Sequence, residues 1–145
     1  MSNTATAPAS IDAGIRSRAT GPAVLPLFGR VLIAAIFLLS GISKITAPAM
    51  IIGYIQSVGL PFPTLGLAIA VLVELGGGTL LVLGYRTRIV AAVMAVFSIA
   101  TALAFHNNLA DQNQFIHFFK NVAMAGSLLQ IVAFGAGRFS LDARR

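Results

Sequence analysis

The chain of 145 residues contains no cysteine and no tryptophan. Without cysteine it can build no disulfide framework, zinc ribbon, iron–sulfur cluster or thiol redox pair of its own. Without tryptophan, any aromatic belt at a membrane surface rests on phenylalanine and tyrosine. Acid is scarce as well: Asp and Glu together number four, against ten Lys and Arg. Charged residues make up 10% of the chain, where a soluble domain carries about 25%. A soluble fold could not cover its surface with so few charges. Disordered, collagenous and coiled-coil chains and an ordinary cytosolic enzyme are all excluded. What is present instead is apolar, with 57% hydrophobic residues and a mean hydropathy of +0.90. The length allows one domain, so the class is a small polytopic membrane protein.

Four apolar runs organise the chain. They cover about Pro26–Ile45, Leu65–Leu83, Ile89–Phe105 and Phe115–Phe134. Each approaches the roughly 20 residues that cross a hydrocarbon core. Backbone groups in lipid must bond internally, and no alternating strands of barrel length are visible, so the runs are expected as helices. The expected organisation is a flexible cytoplasmic tail over 1–24, a four-helix membrane domain over 25–142 and a short cytoplasmic end at 143–145. Between the first two runs, Ile51, Tyr54, Ile55 and Val58 recur at helical spacing. They predict a short interfacial helix over Met50–Val58 in the first outer loop.

The net charge of +6 does not indicate nucleic-acid binding, because the basic residues form no patch. They stand at the ends of the apolar runs. With an even number of spans, one side receives Arg16, Arg18, Arg30, Arg86, Arg88, Arg138, Arg144 and Arg145. The other receives only Lys44, with Lys120 nearby inside the fourth run. This bias predicts both termini in the cytoplasm of a multi-pass inner-membrane protein.

Charged residues within a span usually face the bundle interior and mark function. Glu74 is the clearest case, nine residues into the second run and roughly 13 Å deep at 1.5 Å per residue. Gly66, Ala70, Glu74 and Gly78 recur every four residues, which places them on one face. Lys44 closes the first run, beside Ser40 and Ser43. His106 ends the third. His117, Lys120 and Asn121 share a face of the fourth. All six chemical groups are expected in the outer half of the bundle. Arg30 sits at the inner end, either as a further ligand-binding residue or snorkelling to lipid headgroups. A net positive pocket with imidazole and amide groups suits a small anion or the carbonyls of a polar aromatic ring. The alternative is an ion-pair network that only fixes helix order. No metal site is expected, since His106 and His117 have neither cysteine nor a second carboxylate near them in sequence.

The sequence resembles the DoxX family of small four-helix membrane proteins over about Leu27 to Asp142. The resemblance is carried by Gly29-Arg30, by Phe37-Leu38-Leu39-Ser40-Gly41-Ile42-Ser43-Lys44 and by Val58-Gly59-Leu60-Pro61. It continues in Glu74-Leu75-Gly76-Gly77, Gly84, Arg86-Thr87-Arg88, His106, Phe118-Phe119-Lys120-Asn121 and Gly137-Arg138-Phe139-Ser140-Leu141-Asp142. Relatives include a small subunit of a thiosulfate:quinone oxidoreductase. The resemblance therefore implies an accessory subunit in membrane redox or sulfur metabolism, acting with a membrane or soluble redox partner or a second copy of itself. It implies quinone as a non-covalent ligand. In that reading Glu74, His106 and Lys120 are the catalytic candidates, and Arg30, Lys44, His117 and Asn121 join them in binding. A non-catalytic scaffold or assembly factor is the alternative. A small-molecule transporter is a third, although no broken-helix pair or inverted repeat is visible.

Overall fold

The computed structural model describes residues 23–145. The expected tail lies outside the described residues except for its last two positions, and Arg16 and Arg18 lie outside with it. Among the described residues every regular element is helical. Helix α1 spans Leu25–Thr46, α2 Pro48–Ser57, α3 Pro63–Leu83, α4 Thr87–Phe105 and α5 Gln112–Phe134. A short 3₁₀ turn over Asp142–Arg144 follows. The helices α1, α3, α4 and α5 are long and apolar enough to cross a membrane. Their surfaces agree: Leu32, Leu39, Leu72, Val96 and Phe134 are all at least two-thirds exposed. Such a surface is stable only against lipid.

Local chemistry sets the helix ends. Pro26, Pro48 and Pro63 stand in the first turns of α1, α2 and α3. There proline lacks only an N–H that would go unpaired anyway. Asp111 caps α5 by accepting a hydrogen bond from the Gln114 N–H at 2.8 Å. Gly84, at φ +69°, ends α3 in the left-handed conformation that glycine adopts freely.

Helix α4 has no capping side chain of its own, and a distant residue supplies one. Asp142 accepts from the Arg86 and Thr87 N–H groups, each at 2.8 Å, and from Thr87 Oγ1 at 2.7 Å. The Thr87 hydroxyl, then the backbone N–H groups, hold the Asp142 carboxyl below the usual carboxylate range. A depressed folded-state value contributes stability that is present above about pH 4 and lost as pH falls through the folded value. Asp142→Asn is therefore expected to lower the melting temperature of the detergent-solubilised protein at neutral pH. Wild type and variant should converge in acid. Identical melting curves at neutral pH would show that the cap contributes nothing.

The core lies where α1, α3, α4 and α5 meet, around Ala34, Phe37, Leu81, Ala91, Met94, Ala125 and Leu128. Small residues let the helices close up. A Cβ on Gly41 would press Leu75 at 2.7 Å, and one on Gly78 would press Leu38 at 2.9 Å. Helices α4 and α5 pack most extensively, α1 packs on α3, and α1 meets α5 sparingly.

Helix α3 is not the regular helix its sequence predicts. Residues Leu72–Gly77 form a π-helical turn. Gly66, Ala70 and Glu74 line a cavity, and Glu74 and Gly78 both meet α1. The glycines at 76–78 give α3 the thin flank that such a turn needs between close neighbours. A Cβ on Gly77 would meet the Met94 sulfur of α4 at 2.9 Å. Turns of this kind recur at functional sites, and this one carries Glu74.

Candidate functional site

Glu74 is only 5% exposed, and its carboxylate meets Lys44 across the α1–α3 interface. Lys44 Nζ lies 2.9 Å from both carboxylate oxygens. The ammonium therefore spans the carboxylate, with a hydrogen bond to Oε1 and an ion-pair contact of the same length to Oε2. Ser40, one turn before Lys44, ties the pair together. Its hydroxyl donates to Glu74 Oε1 at 3.2 Å and accepts from Lys44 Nζ at 2.8 Å.

A second group forms between the end of α4 and the first turns of α5. The His106 and His117 rings stack at 5.1 Å and 25°. Lys120 Nζ lies 2.8 Å from His117 Nδ1. An ammonium can only donate, so Nδ1 accepts and the His117 proton sits on Nε2. His106 Nδ1 lies 2.8 Å from Gln114 Oε1, which can only accept. The His106 proton is thereby held on Nδ1, and Nε2 keeps a free lone pair. Asn121 Nδ2 donates to the His117 carbonyl at 3.1 Å, leaving its own carbonyl oxygen unused by that bond.

Both groups line one cavity of about 610 Å³. Lys44, Glu74, His106, His117, Lys120 and Asn121 all stand on its wall. Ligand pockets run roughly 300–1,000 Å³, so the volume fits a small molecule. Helix α2 covers one end. Its Ile55 is buried, and its Tyr54 stacks on Phe105 at 5.5 Å and donates to the Phe105 carbonyl at 3.2 Å. The lysine of the ion pair is matched by Glu74, so Lys120 leaves the cavity with one net positive charge.

Arg30 does not join this cavity, and it does not snorkel. It is 1% exposed, at the opposite end of the bundle. Nη1 donates to the Ala136 carbonyl at 2.8 Å, and Nη2 donates to Phe139 at 2.7 Å and Val82 at 3.4 Å. The guanidinium holds the segment after α5 against α1 and α3. Its sequence position at a helix end predicts solvent access, but the returning chain covers it.

Sequence reasoning passed over Ser40, Tyr54 and Gln114 as site residues. Ser40 was visible four residues before Lys44, and Gln114 three before His117, at the spacing that brings helical side chains together. Tyr54 carried only its apolar periodicity.

Among the described residues no group of three or more metal-ligating side chains occurs. The DoxX family model matches residues 25–107. The chain is 35% identical over 116 residues to Inner membrane protein YqjF of Escherichia coli K12, covering 80% of this chain and 88% of that protein. It is 34% identical over 126 residues to Inner membrane protein YphA of the same organism, covering 83% of this chain and 90% of that protein. No solved structure matches. The matched segment takes in α1 to α4 and with them Lys44, Glu74 and His106, and on these grounds the chain belongs to the DoxX family.

Proposed function

We propose that this DoxX-family membrane protein is an accessory subunit that binds a quinone headgroup or a small oxyanion for a redox or sulfur-metabolising partner. The observation that carries the reading is a single cavity wall that joins the Lys44–Glu74 ion pair to Lys120 and His117. A carboxylate takes a hydroxyl donor, and the ammonium and imidazole N–H take an oxygen acceptor. A quinone headgroup meets both demands, because its reduced form donates and its oxidised form accepts. Lys120 would stabilise negative charge on the bound oxygen. Glu74 and His106 Nε2 would exchange protons with it. The names of both relatives support an inner-membrane location, and the bias of Lys and Arg supports cytoplasmic termini, with the cavity then in the outer half.

The test is native mass spectrometry on the tagged protein, extracted gently from its own membrane. Lys120 is exposed and its one side-chain hydrogen bond is to His117, so Lys120→Met should leave the fold intact. Wild type is expected to retain a quinone or a sulfur oxyanion, and Lys120→Met to lose it. A stoichiometric protein partner with an empty cavity would replace this reading with a scaffold.

A further inference from the structure

A second cavity of about 560 Å³ lies in the seam between α1 and α5. Ile36 stands on the wall of both. On α1 the lining passes from Ile33 through Ile36 to Ser40, and on α5 from Ile131 through Ser127 to Met124. Each step is three or four residues, so both rows stay on one helix face. The two helices meet sparingly along this seam. The exposed Leu32 and Ile36 on its wall put the mouth of this second cavity on the apolar outer side of the bundle. Arg30 borders the far end, but its guanidinium is committed to carbonyl groups and adds no free charge.

Resting on the headgroup reading above, we infer that the ligand is an amphiphile whose extended apolar tail lies in the α1–α5 groove and which enters laterally from the bilayer. From Ile36 to Gly29 the groove runs roughly 10 Å along α1, at 1.5 Å per residue. A medium alkyl or isoprenoid chain covers that length. A free oxyanion would leave the groove unused.

The test uses the full chain in lipid nanodiscs, with protein-free nanodiscs as the partition baseline. Two probes are compared, a benzoquinone ring carrying a decyl tail and the same ring without it. Ser127→Trp and Gly29→Leu fill the groove from opposite helices, and a Cβ on Gly29 meets nothing within 4 Å. Wild type should bind the tailed ring about tenfold more tightly than the bare ring after baseline correction. Both variants should remove that preference and leave bare-ring binding unchanged. Equal binding of the two rings by wild type would overturn the tail and leave the headgroup reading standing. Binding of neither would overturn both. A phospholipid that occupies the groove and is displaced by Ser127→Trp, while the tailed ring binds as before, would also overturn the tail.

Discussion

Lys44→Met is expected to destabilise the protein by about 3 kcal/mol, the low end for breaking a buried ion pair. The Glu74 carboxylate would remain at 5% exposure with only Ser40 to donate to it. Burying an unpaired charge is what makes such a variant unstable. The low end applies because the Lys44 side chain keeps 20% exposure, which leaves part of its hydration in place. Glu74→Gln should cost less, since an amide oxygen can still accept from Ser40 and Lys44 can turn toward water. The double variant Lys44→Met/Glu74→Gln should recover most of what Lys44→Met loses, because no bare charge remains. Thermal unfolding of the four proteins in detergent supplies the cycle. Additive losses would mean that the two residues do not act as a pair, and the cavity would lose the element that positions Glu74.

Much of this arrangement was legible in the sequence, for a physical reason. A membrane admits charge only where a bundle can pay for it, so Lys44, Glu74 and Lys120 stood out against uninterrupted apolar runs. Span counting then placed them, with His106, His117 and Asn121, at one end, and all six line one cavity. The π-turn over Leu72–Gly77 was not legible. It is a choice between two hydrogen-bonding registers, and an apolar run with one acid and three glycines reads the same in either. The environment of Arg30 was hidden for another reason. Its partners are backbone carbonyls 106 and 109 residues away, and a carbonyl leaves no trace in a sequence. The Asp142 cap on α4 was equally invisible, because it joins residues 55 and 56 apart.

The second large effect is expected at Arg30. Arg30→Leu should cost about 3 kcal/mol, since hydrogen bonds from a charged donor are worth about 1.5–3 kcal/mol each and the buried Ala136 carbonyl would lose its partner. Nε has no partner even in the wild type, so the whole contribution comes from the two terminal nitrogens. Geometry matters as much as charge. The guanidinium fork reaches Ala136 and Phe139 at 2.8 and 2.7 Å at once, and a single ammonium cannot copy its spread. Arg30→Lys should therefore restore less than half of the lost stability. The same fork holds the segment that delivers Asp142 to the start of α4. Arg30→Leu and Asp142→Asn should consequently be less than additive, since a released segment has no cap left to lose. Hydrogen exchange over residues 136–142, read beside the melting temperatures, separates local release from global loss. Rapid exchange confined to that segment in Arg30→Leu would identify the arginine as its clamp. Full stability in Arg30→Lys would show that charge alone suffices and that the fork has no special role.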